Sequence, residues 1–375
     1  MRIIFAVQGP HVPYLFAGGP LDVHHLALTL GSQGHDVAVA AALPGLPESV
    51  RFRQLPYRLS QAITRNELLI YRDTYNGYET FRVGHWLVPR LLEERIAAWR
   101  PDIVVTQGQD SSTLALAAVR QGVPVVLRQI DLWGVEMLAE AAKKDTTVES
   151  LLHNPLFSIV SNSAFIAAKT EELLRVSSPV VHPLIRPEDS VCDHIDPRYI
   201  TFISPIPWKG LAVALEVARL LPHRDFLFVQ GWRRSAAERK KQRADLAGLP
   251  NVVLRPNSAG LKEVFASTSV LLAPSQIEEA FGRVIVEAGF NGIPAVASRI
   301  GGIPESIGES GVLLPPSDPP ERWADAIDRM LSDPASYARF RTAALANAQR
   351  QEFEATTIAE RFIKVLSSQL RAVPA

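Results

Sequence analysis

Residues 270–299 read VLLAPSQIEEAFGRVIVEAGFNGIPAVASR. An apolar run of strand length ends in Pro274 and Ser275, and a short polar loop follows. A helical stretch then runs from about Gly282 to Phe290, and Gly292, Ile293 and Pro294 lead into a second apolar run. This is one strand–helix–strand unit. Neither apolar run alternates with polar residues, so both strands are expected to be covered on two faces, as in a doubly wound parallel sheet.

The same pattern extends outward in both directions. Before this unit the expected strands are YITFISPI (199–206), DFLFVQG (225–231) and NVVLRPN (251–257), and after it comes GVLLPP (311–316) as a short edge piece. In the first half they are RIIFAV (2–7), DVAVAAAL (36–43), DIVVTQG (102–108), PVVLRQI (124–130), SIVSNS (158–163) and PVVHPLI (179–185). Helical stretches separate them, which predicts an α/β fold with two Rossmann-like domains whose strand ends face each other. A chain of 375 residues also exceeds what one core usually serves. The polar stretch RPEDSVCDHIDPRY (186–199), with two prolines and no hydrophobic period, reads as the linker. The expected division is a first domain over 1–190, a second over 191–354, and a last helix over 355–375 that returns to the first domain. Region 51–100 shows no such pattern. Its Tyr57, Tyr71, Tyr75, Tyr78 and Trp86, with Arg65, Arg72 and Arg82, are read as packed aromatics with solvated arginines in preference to a sugar-stacking or phosphate-holding surface, in loops that would choose the acceptor.

Apolar residues make up 47% and charged residues 21%, with zero formal net charge. That balance speaks against nucleic acid as a partner, since a phosphate-neutralising groove would be basic. One cysteine, Cys192, excludes an internal disulfide, and the sequence has no Cys/His cluster at zinc-ligand spacing. The opening MRIIFAV is too short for a signal-peptide core, and no transmembrane segment is expected. A cytoplasmic location follows, either free or peripheral to the inner face of the membrane.

In open α/β sheets ligands bind beyond the carboxyl ends of the strands. Gly18 and Gly19 stand before a helix, where a backbone can approach a phosphate, but without the G-x-G-x-x-G spacing of dinucleotide binders. Lys209, in SPIPWKG, sits at a strand-to-helix loop and offers a compact positive charge to a diphosphate. Glu279 and Glu287 frame the third loop. Gly282 between them permits close backbone approach, and the helix start offers unpaired N–H groups to an anion. Eight helical steps would separate the two acids by about 12 Å, near the span from sugar to ribose across a diphosphate. Carboxylates accept paired hydroxyl bonds, so Glu279 would hold sugar hydroxyls and Glu287 the ribose diol. Each of these residues also has an ordinary alternative: a turn glycine, a solvated lysine, a loop acid, a surface helix acid.

The E-x7-E spacing around Phe281-Gly282, followed by EAGFNGIPAVASRIGGIPE, resembles the donor-binding signature of family 4 retaining glycosyltransferases. Gly18-Gly19, GHDVAV, PDIVV, the Lys209-Gly210 pair and LLAPS follow in that family's order over nearly the whole chain. The resemblance implies the GT-B fold and transfer of a sugar, with retention, from a nucleoside-diphosphate sugar to a hydroxyl. A UDP- or GDP-sugar is the donor expected, the acceptor is open, and no metal or other cofactor is expected. It implies that Glu279 contacts the donor sugar and that the backbone of Ala280, Phe281 and Gly282 cradles sugar and phosphate. Glu287 would bind the ribose, Lys209 the diphosphate, and Asn257, with Arg255 and Pro256, would lie at the base. Relatives often carry an arginine just before the lysine. Pro205 and Pro207 stand there instead, so Lys209 is expected to act with Arg283 or Arg233. Relatives also often carry a histidine after the strand matching PVVLRQI. Here Gln129, Ile130 and Asp131 occupy the place, and Asp131 is a candidate for either a catalytic or a structural role. The rival readings are a nucleotide-sugar-binding protein that does not transfer, and an epimerase or phosphorylase on the same fold.

Overall fold

The apolar runs of the first half form a sheet of eight strands: β1 (Arg2–Pro10), β2 (Asp36–Ala42), β3 (Gln61–Arg65), β4 (Leu68–Asp73), β5 (Glu79–Val83), β6 (Ile103–Gln107), β7 (Val125–Gln129) and β8 (Phe157–Ser161). The second half forms six: β9 (Tyr199–Ile203), β10 (Phe226–Val229), β11 (Val252–Arg255), β12 (Thr268–Ala273), β13 (Ala295–Ser298) and β14 (Gly311–Leu314). The structure, a computed structural model, describes residues 1–44, 61–65, 67–108, 110–231, 236–256 and 261–372. The chain divides into two units, Met1–Leu184 with Glu354–Ala375, and Ile185–Phe353.

Unit 1 orders its strands β3-β4-β5-β2-β1-β6-β7-β8. From β5 to β8 all neighbours run parallel, and β3, β4 and β5 form an antiparallel extension. One face of this sheet packs on helices Gly18–Ser32 and Ala355–Ala372. Leu26 and Leu30 of the first meet Ile358, Phe362 and Leu366 of the second over Phe5, Val105 and Val126. The spacing of those three last-helix residues puts them on one stripe, and the Phe362 ring stacks on Phe5 at 6.3 Å. The C-terminal helix therefore completes the core of the first unit.

Two expectations fail here. Region 51–100 is not without strands: β3, β4 and β5 lie within it. They escape a hydropathy reading because their buried faces include a charge pair. Arg82 of β5 is fully buried against Asp73 of β4, so it is not a solvated arginine. Tyr78 is buried, while Tyr75 and Trp86 are exposed, and Tyr57 lies outside the described residues. The run 179–185 is not a strand either. It makes one isolated bridge, Ser161 to Val180, because Pro179 and Pro183 have no N–H to give to a ladder.

Unit 2 orders its strands β11-β10-β9-β12-β13-β14, all parallel. Phe202, Phe226 and Phe228 pack with Trp323 and Ile327 on one side. Phe265, Leu271, Ile285, Ala288 and Ile303 form a second cluster. Among the parallel strands of each unit the order reverses once, between β1 and β6 in unit 1 and between β9 and β12 in unit 2. Such reversals open a crevice at the carboxyl ends of the strands. Among the described residues no helix is long and apolar enough to cross a membrane.

Candidate functional site

The loops after β9 and β12 flank the reversal in unit 2, and backbone contact joins them. Gly210 holds φ at 87°, and a Cβ there would stand 1.9 Å from the Pro274 carbonyl oxygen. Only glycine permits that approach and that backbone angle. The amide of Gln276 donates to the Trp208 carbonyl at 2.9 Å, a second tie. Lys209, at the end of the tight turn Pro207–Lys209, is thereby brought to Glu279, with Nζ 2.7 Å from Oε2. A third loop presses from β13: a Cβ on Gly302 would meet the Ala280 carbonyl oxygen at 2.0 Å, and the Gly302 amide donates to the Glu279 carbonyl at 2.7 Å. The loop from 274 to 280 is thus held by the β9 loop at Pro274 and Gln276 and by the β13 loop at Glu279 and Ala280.

Phe281 turns its ring into the core, edge-on to Phe353 at 5.5 Å, while Ala280 and Gly282 stay half-buried. Gly282, with φ 85°, opens helix Arg283–Gly289, and no side chain caps that end. Glycine at that position has no side chain with which to cap the first amides. One turn in, Glu287 pairs with Arg283 at 3.3 Å. The Glu279 and Glu287 side chains are only 16% and 14% exposed, so neither acid points into bulk solvent. The stretch from 278 to 282 is not helical, so the two acids are not joined by one continuous helix. Unit 2 thus places two ion pairs, Lys209 with Glu279 and Arg283 with Glu287, on the loops and the helix start that follow β9 and β12.

Arg255 is ion-paired with Glu263 beyond β11, and Asn257 and Arg233 lie outside the described residues. Gly18, Gly19 and Asp131 belong to unit 1. Gly18 and Gly19 open helix Gly18–Ser32. A side chain at Gly19 would press on Ile130 at 2.9 Å, and its carbonyl accepts from Gln107 Nε2 at 2.8 Å. Asp131 caps helix Leu132–Lys144, its Oδ1 accepting from the Gly134 amide at 2.6 Å. Burial pushes its carboxyl pKa up, partly offset by that bond.

Sequence reasoning passed over the centre of unit 1. His11 Nε2 and His24 Nδ1 converge on the Tyr78 hydroxyl at 2.7 and 2.8 Å. Burial holds His11 well below the usual histidine range, with Arg82 and His24 adding to the effect, and it pushes Tyr78 up. These residues lie far apart in the chain, and no spacing connects them. Among the described residues no group of three or more His, Cys, Asp or Glu is placed to hold a metal ion.

Two doubly wound domains of this topology make the GT-B architecture, and comparison with known proteins says which family has it here. A glycosyl transferase 4-like domain matches residues 18–184, and a domain of glycosyl transferases group 1 matches residues 197–333. The chain belongs to the group 1, family 4 glycosyltransferases. It is 31% identical to a D-inositol 3-phosphate glycosyltransferase of Segniliparus rotundus over 51% of this chain and 46% of the relative. A protein of the same name from Saccharomonospora viridis is 34% identical over 40% of this chain and 38% of the relative. The matched segments thus span less than half of those relatives' lengths. Among solved structures, Anabaena HepE in complex with UDP-glucose superposes with a TM-score of 0.74 at 18% identity, covering 98% of this chain and 100% of that one. A glycosyltransferase of Rickettsia africae superposes at 0.73 and 18%, covering 99% of each. At that identity the likeness concerns the fold.

Proposed function

We propose that the chain is a retaining glycosyltransferase: unit 2 holds a nucleoside-diphosphate sugar, and unit 1 holds the hydroxyl acceptor. The observation that carries this is the Lys209 ammonium 2.7 Å from the Glu279 carboxylate at the reversal of the second sheet. A cation and a hydroxyl-accepting acid side by side match the junction of phosphate and sugar in such a donor. Lys209 and the amides of the helix that begins at Arg283 would face the diphosphate, Glu279 the sugar hydroxyls, and Glu287 the ribose diol. The backbone of Ala280, Phe281 and Gly282 would line the sugar and phosphate, with Arg283 as the second positive group.

In the reaction the bond between the anomeric carbon and the phosphate oxygen breaks, and a bond from the acceptor oxygen forms on the same face. The acceptor's proton passes to the departing phosphate oxygen. The side chains' work is electrostatic, since fixed positive groups stabilise charge that grows on the leaving diphosphate. Asp131, as a helix cap, would shape the first-unit loop rather than react. The donor class is a UDP- or GDP-sugar, in line with the nucleotide sugar of the Anabaena complex.

A thermal-shift screen of nucleoside diphosphates and their sugars tests this. A ligand at a hundred times its dissociation constant adds about 2.7 kcal/mol of stability. UDP or GDP raises the unfolding temperature, and Glu287→Ala removes the shift. Indifference to every nucleotide defeats the proposal. Donor binding with no product from any acceptor would favour a binding protein, and donor conversion without acceptor an epimerase.

A further inference from the structure

Glu287 is held at two points. Its carboxylate faces the Arg283 guanidinium, with Nε donating to Oε1 at 3.3 Å and Nη2 lying 3.3 Å from the same oxygen. Its backbone carbonyl accepts from Asn291 Nδ2 at 3.4 Å. Asn291 is buried, and is tied in turn to the Ser190 carbonyl at 2.9 Å and the Cys192 amide at 2.8 Å. Both side-chain contacts fall on Oε1, so Oε2 is the oxygen left to a ligand. The pair with Arg283 does not serve the helix that carries it. Arg283 is the first residue of helix Arg283–Gly289, where the free N–H ends already carry positive charge and a cation is unfavourable. A base four positions before an acid is also the weaker order of such a pair. With the side chains only 13% and 14% exposed, both charges lose most of their water. A pair set against the helix and against solvation has its task elsewhere.

That task follows from the ligand. A diphosphate repels a bare acid, yet the ribose diol beside it calls for a strong acceptor. A carboxylate with its own cation meets both demands: its net charge is cancelled, and its second oxygen still accepts hydroxyl bonds. We propose that Arg283 is a positioning residue for ribose, which cancels the charge of Glu287 and fixes Oε2 toward the diol, so that selection of ribonucleotides over deoxy forms depends on it. This rests on the donor reading above, in which Glu287 meets the ribose, and adds to it a residue that acts through that acid.

The test is isothermal titration calorimetry on the full chain with UDP, GDP and their 2′,3′-dideoxy analogues. The ribonucleotide is expected to bind about ten- to a hundred-fold more tightly than its dideoxy analogue. Arg283→Leu is expected to bring the two within about two-fold of each other. Arg283→Lys keeps part of the preference, since an ammonium retains the charge without the fork. Glu287→Gln erases the same preference, and Arg283→Leu combined with Glu287→Gln loses no more than either alone. General damage to the fold weakens both nucleotides alike, so the ratio reads positioning and not stability. An Arg283→Leu variant that keeps the wild-type ratio, or whose loss adds to that of Glu287→Gln, overturns the inference and leaves the donor site standing. A wild type that binds neither UDP nor GDP overturns the donor reading, and this inference with it.

Discussion

Between β9 and β12, unit 2 gathers Lys209, Glu279, Arg283 and Glu287 at the carboxyl edge of its sheet. Unit 1 instead keeps two of its ion pairs inside. Arg128 meets Asp22 at 2.6 Å and Arg82 meets Asp73, all four buried. The same strand order therefore carries two opposite electrostatic furnishings. Topology sets where the loops gather, and the loop side chains decide what chemistry gathers with them.

The largest effect that would break the contrast concerns the hidden pairs. Asp22 accepts from Arg128 and from the Leu184 amide at 3.0 Å, so Asp22→Ala leaves a buried guanidinium without its partner. A loss of about 3–5 kcal/mol is expected in urea denaturation, and an unchanged midpoint would mean that unit 1 does not depend on internal charge. Next, Lys209→Ala is expected to slow transfer about 10²–10³-fold in single-turnover assays. Equal rates would remove the positive centre from unit 2. Gly210→Ala forces a side chain onto the Pro274 carbonyl at a positive φ. Equilibrium unfolding should show a loss of about 2–3 kcal/mol.

A pH effect sharpens the comparison from the unit 1 side. His11 faces Tyr78, His24 and Arg82, and its folded pKa lies well below 6.5. Below that value the unfolded chain takes up a proton that the folded chain refuses. Stability is therefore full above pH 6.5 and declines as pH falls toward the folded pKa, by at most about 1.4 kcal/mol per pH unit. His11→Gln should flatten the slope of melting temperature against pH between 6.5 and 5. The smallest expected effect is Trp86→Ala on stability, within about 0.5 kcal/mol, because the side chain is exposed. A larger loss would show that this indole is part of the fold.

The parallel strands were legible because burial on both faces demands unbroken apolar runs, and VLLA and AVAS show this on either side of the acids. The hairpin β3–β4 and its neighbour β5 were not legible. A run such as LLIYRD buries Asp73 along with Leu68 and Ile70, and only its partner Arg82, nine residues on, makes that acceptable. PVVHPLI misled in the other direction, since hydropathy does not register the amides missing at Pro179 and Pro183. At the candidate site Glu279, Gly282 and Glu287 could be read together because they share one strand–loop–helix unit, whereas Lys209 stood out only as a lysine in another strand-to-helix loop. Gly302 could not be read, since its meaning depends on which backbone lies opposite.

Sequence by itself determined the two doubly wound sheets and the loops at which to look, because periodicity and turn residues act over a few positions and need no distant partner. Tertiary structure alone decided that Lys209 meets Glu279, that Phe362 of the last helix stacks on Phe5, and that Arg82 is buried against Asp73. Each of these joins segments far apart in the chain, and such a contact exists only once strands have been ordered and packed.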